Sequence, residues 1–163
     1  MTTTTAAGTA TPPTTNGRVI ALAHYAARAL LEGALTRHGV TFEQSVTLRA
    51  VVLAGESVGR DALAADVTNS LKTDEPVALR VIDELTASRL LEADPADTSR
   101  LRLTDAGKEL YETTSADSAE ISARLYSGIP TEDLAATGRV LTLVTARANA
   151  ELAAARLNRI TAV

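Results

Sequence analysis

The sequence has no cysteine and no tryptophan, and its aromatic side chains number four: Tyr25, Phe42, Tyr111 and Tyr126. Without cysteine, disulfides, thiolate catalysis, thiol-based peroxide sensing and cysteine zinc sites are excluded. Proline is scarce too, and its five copies (the Pro12-Pro13 pair, Pro76, Pro95 and Pro130) fall where boundaries are expected, leaving long uninterrupted helical stretches between them. No apolar run reaches the roughly 18 residues of a membrane span, so no membrane partner is expected. The N-terminus lacks a basic stretch leading into an apolar one, so a secretory signal is not expected and a cytoplasmic location is. A basic excess is also missing. Twenty acids against sixteen bases give a formal charge of −4, which at face value argues against a nucleic-acid partner.

What is present is alanine and leucine: 31 and 21 copies among 163 residues. Alanine costs no side-chain entropy in a helix but buries little area. The expectation is a helical chain with close helix contacts and a modest leucine core. The length suits one compact domain, or one small domain plus helices that carry assembly.

Residues 1–17 hold eight threonines and no charged side chain, and are expected to be a disordered tail. Residues 18–37 carry Val19, Ala23, Ala26, Leu30 and Ala34 at steps of three and four. That is a helical stripe of mostly small residues suited to packing on another helix. Gly39 is a left-handed stop. Residues 43–54 and 60–68 give a second and a third helix, the latter with Leu63, Ala64 and Val67 inward. After a polar connector, Asn69 to Thr73, a fourth helix is expected, capped by Thr73, with Asp74 and Glu75 at its positive end and Pro76 in its first turn. Ala78, Val81, Ile82 and Leu85 supply its buried face. Leu90-Leu91 and Leu101 to Leu103, either side of the turn-rich ADPADTSR, predict a β-hairpin. Thr104 caps a fifth helix running towards Gly128. A sixth runs from Thr131 to about residue 158 with heptad-like spacing of Leu134, Gly138, Leu141, Thr145, Ala148, Leu152 and Ala155. A helix of that length needs a partner.

The fold class expected is therefore mainly α with a small two-stranded β-wing. A winged helix-turn-helix domain (39–103) lies between an N-terminal dimerisation helix (18–38) and C-terminal dimerisation helices (104–163). The ordered motifs then point to a family. Leu103-Thr104-Asp105-Ala106-Gly107-Lys108-Glu109-Leu110 is similar to the "LT-x-x-G-x-x-L" that follows the wing in MarR-type transcriptional regulators. Arg80-Val81-Ile82-Asp83-Glu84-Leu85 resembles their "RLVDRL" segment, Asp94-Pro95-Ala96-Asp97 their wing-tip "DP-x-D", and Gly39-Val40-Thr41 with Gln44 their "GLTPPQ". The resemblance covers residues 18–158. It implies a homodimer acting on double-stranded DNA at a pseudo-palindromic operator, with a small phenolic or carboxylic effector where the dimer helices meet the winged domain. No cofactor and no catalytic activity are expected. The sequence departs from the family pattern in four places. Thr98 and Ser99 stand where two wing-tip arginines are usual, and the loop before the fourth helix is about four residues longer. Glu75, Pro76, Val77 and Leu79 replace groove-facing hydroxyls, and Arg89 replaces a glycine.

For DNA contact the candidates are Asn69, Lys72 and Thr73 at the turn, and Val77 and Arg80 on the fourth helix. Arg100 and Arg102 join them, two apart and so on one face of a strand. Arg80 has a competing use as an ion-pair partner of Asp83 or Glu84 one turn on. For the effector they are His24, Tyr25, Arg28 and Arg49, with His38 nearby; His24 and Arg28 are four apart on one helix face. Two isolated histidines argue against a metal sensor. The paired acids Asp74-Glu75, Asp83-Glu84 and Glu132-Asp133 are explained by helix dipoles or a solvated face. A second reading is a MarR-like dimer that mainly binds a ligand or another protein, with weak DNA contact. The charge balance bears on that choice: residues 55–103 hold six bases and ten acids, so the acidity sits in the module meant to touch DNA. Binding through few, well-placed bases is the expectation.

Overall fold

A computed structural model describes residues 14–55 and 57–161, the side chains of 159–161 excepted. The expected Thr-rich tail lies, up to residue 13, outside the described residues. These form helix α1 (Gly17–Thr36), α2 (Phe42–Leu53), strand β1 (Val58–Gly59), α3 (Arg60–Leu71), α4 (Glu75–Ala87), β2 (Leu91–Asp94), β3 (Asp97–Leu103), α5 (Asp105–Tyr126) and α6 (Thr131–Thr161). The chain divides into two compact units, Met1–Ile121 and Ser122–Val163.

Local chemistry sets most of these boundaries. Asn16 opens α1 by accepting from the Val19 amide at 3.1 Å. Gly39, at φ +67°, turns the chain out of it as expected. Thr41 and Gln44 then form a reciprocal capping box: the Thr41 hydroxyl accepts from the Gln44 amide, and the Gln44 side chain accepts from the Thr41 amide, both at 3.1 Å. That is the physical content of the Gly39-Val40-Thr41…Gln44 motif. Helix α3 runs three residues further than expected and takes Asn69 out of the connector. Lys72, in the left-handed region at φ 54°, ends it. This shifts the start of α4: Asp74, not Thr73, holds the N-cap position, and its side chain makes no capping bond.

The core of the first unit is aliphatic. Leu48 and Val51 of α2, Leu63, Ala64 and Val67 of α3, and Ala78, Val81, Ile82 and Leu85 of α4 pack with Leu91, Leu101 and Leu103 of the hairpin. The hairpin is antiparallel, pairing Leu91 with Leu103, Glu92 with Arg102 and Ala93 with Leu101, with a register shift between Ala93 and Asp94. Strand takes up most of the stretch expected to be loop, leaving Pro95 and Ala96 as the turn. Asp94 and Asp97 explain why so short a tip suffices: Asp94 accepts from the Ala96 amide at 2.9 Å, and Asp97 from the Ser99 amide at 3.0 Å. A third strand, β1, pairs Val58 with Leu101 and Gly59 with Arg100, giving sheet order β1-β3-β2. Two residues carry no periodicity, so the sequence did not announce it.

Helix α5 begins as expected. The Thr104 hydroxyl accepts from the Gly107 amide at 3.0 Å and donates to the Arg89 carbonyl at 2.7 Å. Gly107 packs so closely on the hairpin that a Cβ there would stand 2.1 Å from the Leu90 carbonyl oxygen. Threonine hydroxyls within the helices turn back one turn: Thr47 donates to the Glu43 carbonyl, Thr114 to Leu110, Thr142 to Gly138 and Thr145 to Leu141. In the second unit Gly128, at φ +76°, closes the end of α5, and α6 follows for 31 residues. No helix of the described residues is long and apolar enough to cross a membrane.

Candidate nucleic-acid interface

Helices α3 and α4, joined by the Lys72-Thr73-Asp74 turn and followed by the hairpin, set out the arrangement that the sequence predicts. Burying Ala78, Val81, Ile82 and Leu85 leaves Pro76, Arg80, Asp83 and Ala87 exposed on the opposite side of α4. Two side-chain contacts fix that helix against its neighbours. Arg60 of α3 donates to Asp83 at 2.6 Å, and Gln44 of α2 donates to Glu84 at 3.2 Å. Arg80 is 66% exposed, and its Nε stands 3.7 Å from Glu84, within ion-pair reach but too far for a hydrogen bond. Lys72 donates to Asn69 at 3.0 Å. A groove of about 470 Å³ between the first turns of α4, the start of α2 (Thr41, Glu43) and Arg28 of α1 gathers Lys72, Thr73, Val77 and Arg80. The structure therefore brings the turn and helix candidates together.

The wing arginines are committed within the chain. Arg100 donates through Nε to the Ser57 hydroxyl at 2.8 Å and through Nη2 to the Ser57 carbonyl. Arg102 grips Glu92 across the hairpin through Nε at 2.9 Å and Nη2 at 2.7 Å. Nothing local in the sequence marks Ser57, because its partner lies 43 positions away. At the tip the Ala96 amide, and after it the Ser57 hydroxyl, hold the Asp94 carboxyl below the usual carboxylate range. The Ser99 hydroxyl and amide do the same for Asp97.

A second groove, of about 420 Å³, lies among α1, α2 and α3. It is lined by His24, Arg28 and Arg49 together with Phe42, Leu53 and Asp66. Three of the four effector candidates meet there. Tyr25 is not among the lining residues; it is 66% exposed and meets the His24 ring edge-on at 5.6 Å. Arg28 is pinned by Glu32 at 2.8 Å and Glu43 at 3.2 Å, and its guanidinium lies 4.2 Å from the centre of the Phe42 ring. The hydrogen bond to Glu32 does most to raise its pKa. His38 is placed elsewhere: its Nε2 sits 2.9 Å from Asp117 of α5, which also accepts from Arg37 at 3.1 Å. A wider groove, about 660 Å³, between the end of α2, the hairpin and α5 holds Arg102, Lys108 and Tyr111, and no local sequence pattern marks it.

An α3–turn–α4 pair flanked by a β-wing defines a winged helix-turn-helix protein. Among solved structures, the chain has the fold of the MarR-family regulators. It matches a MarR-family transcriptional regulator from Rhodococcus sp. RHA1 at TM-score 0.66 and 19% identity, covering 79% of this chain and 92% of that one. CouR from Rhodococcus jostii RHA1, bound to p-coumaroyl-CoA, matches at TM-score 0.67 and 19% identity over 79% of this chain and 90% of that one. The S. aureus MepR–DNA complex matches at TM-score 0.66 and 19% identity, over 82% and 96%. No family model matches the sequence, and no curated protein matches it.

Proposed function

We propose that this protein is a DNA-binding transcriptional regulator of MarR type, acting as a homodimer on a pseudo-palindromic operator and tuned by a small molecule. The observation that carries the reading is the exposed outer face of α4, with Arg80 at its centre and Lys72 and Thr73 at its entry, in a fold shared with a relative solved on DNA. Asn69, Lys72 and Thr73 hold phosphates, Val77 and Arg80 enter the major groove, and Arg100 and Arg102 support the wing beside it. Dimerisation accounts for apolar side chains that the single chain leaves in water: Val19, Leu22 and Leu30 on α1, and Leu141, Val144 and Leu152 on α6.

The effector reading rests on the α1–α2–α3 groove. Arg49 offers a cation to a carboxylate, His24 a hydrogen bond, and Phe42 and Leu53 apolar walls, which suits a small phenolic or carboxylic compound. A relative of the same fold was solved with p-coumaroyl-CoA. Such a ligand retunes DNA binding only through unequal affinity for two arrangements of the dimer.

The rival, a dimeric ligand-binding or protein-interaction module with weak DNA contact, draws on the intrachain commitment of Arg100 and Arg102. Fluorescence titration against the DNA upstream of the protein's own coding region, across a salt series, separates the two. Tight, sequence-selective binding with a steep salt slope supports the regulator. Weak binding indifferent to sequence would sink it. Arg80→Ala is expected to weaken binding and relax the sequence preference at one position of the half-site.

A further inference from the structure

Resting on the DNA-binding reading above, we propose how the half-site is recognised: Arg80 bonds to a single guanine, and Pro76 and Val77 pack on thymine methyl groups beside it. Hydrogen bonding to base edges is thus concentrated in one residue, and the rest of the selectivity is apolar.

The inventory of α4 carries the argument. Its thirteen residues include two side-chain donors, Arg80 and Thr86. The Thr86 hydroxyl donates to the Ile82 carbonyl at 2.8 Å and so is spent within the helix. Asp83, exposed on the same outer face as Arg80, accepts from Arg60, and Glu84 accepts from Gln44 while standing within ion-pair reach of Arg80, so both acids already have partners in the chain. Arg80 makes no hydrogen bond of its own, and its planar fork matches the O6 and N7 acceptors of guanine in the major groove. One turn earlier, Pro76 is exposed on the same outer line as Arg80, and Val77 is half-buried beside it in the groove at the entry of α4. Neither side chain can form a hydrogen bond, and the thymine C5-methyl is the major-groove feature that rewards apolar contact. Glu75, the remaining acid, lies two residues from Val77 and so roughly 200° around the helix from it.

The test begins with selection of bound duplexes from a random-sequence pool by the full-length protein. The expected half-site contains a guanine with neighbouring thymines. In the selected duplex, 7-deazaguanine for that guanine removes N7, and deoxyuridine for thymine removes the methyl. Each is expected to weaken binding, the first by roughly tenfold or more. Arg80→Gln replaces the guanidinium by an amide that matches adenine rather than guanine, so it should lose the guanine preference; circular dichroism checks that it folds. Sequence-selective binding that ignores both base analogues, or an Arg80→Gln protein that still prefers guanine, overturns the proposal and leaves the regulator reading standing. Recovery of no preferred sequence overturns both.

Discussion

Gly107 shows how much one position can decide. A side chain there would meet the Leu90 carbonyl at a separation no Cβ tolerates, and the obstacle is backbone, not a side chain able to rotate away. Gly107→Ala must therefore push α5 off the hairpin. We expect a loss of about 2–4 kcal/mol in denaturant unfolding, despite the gain in helix propensity. Asp117 makes a different prediction. The His38 hydrogen bond, followed by the Arg37 charge, pulls its folded carboxyl below the usual range. The contribution is present at neutral pH and lost as pH falls through that lowered value, because the unfolded chain then takes up the proton first. Asp117→Asn should lower stability at pH 7 and flatten the decline in stability on acidification below about pH 4, measured by unfolding at a series of pH values. Both sites show what sequence reading can reach. The Thr104 cap and the Gly107 motif were legible because their chemistry spans three residues. The Asp117 contacts join α5 to the end of α1 some eighty positions away, and no local signal marks them.

At the scale of elements, helices were easier to place than their joints. Periodicity located α1, α2, α4 and α6 within a few residues, whereas the end of α3 was not legible. There Lys72 adopts a left-handed backbone that sequence reading assigns to glycine or asparagine. Strand β1 escaped for want of length, and its contribution depends on a side chain. The Arg100 guanidinium clasps Ser57, the residue just before β1, and so ties the start of that strand to β3. Arg100→Ala should release β1 while the aliphatic core, which the arginine does not join, stays intact. Hydrogen exchange is expected to quicken at residues 58–59 and 99–101 but not in α3 or α4. Equal quickening throughout would show that β1 has no separate stability. The same clasp separates Arg100 from Arg80. The sequence marked both as DNA candidates; the structure leaves Arg80 free of hydrogen bonds and gives Arg100 a structural duty.

For the whole molecule, the acidic total conceals its distribution. Within the winged part several acids are already hydrogen-bonded within the chain, though they stay at the surface: Asp94 and Asp97 in the hairpin tip, Asp83 and Glu84 to neighbouring helices, Glu92 to Arg102. A count of charges could not show this. Assembly is the other property at this scale. If the chain pairs through α6 as proposed, the exposed Leu141 and Val144 predict that Leu141→Asp with Val144→Asp shifts it towards monomer in sedimentation velocity. If both side chains are buried in the dimer, at about 1.5–2 kcal/mol each, affinity between copies should fall by at least a hundredfold. Circular dichroism of the substituted chain should change little, because both positions face water in the single chain.

The threonines of α6 add something that a hydropathy scale misses. Thr142 and Thr145 donate their hydroxyl protons to the Gly138 and Leu141 carbonyls, so neither has a donor left for a neighbour. Thr145 sits in the heptad-like series between Leu141 and Ala148, where its letter looks like a polar interruption. With that donor satisfied inside its own helix, Thr145 asks no hydrogen bond of a facing helix and can pack there through its methyl group.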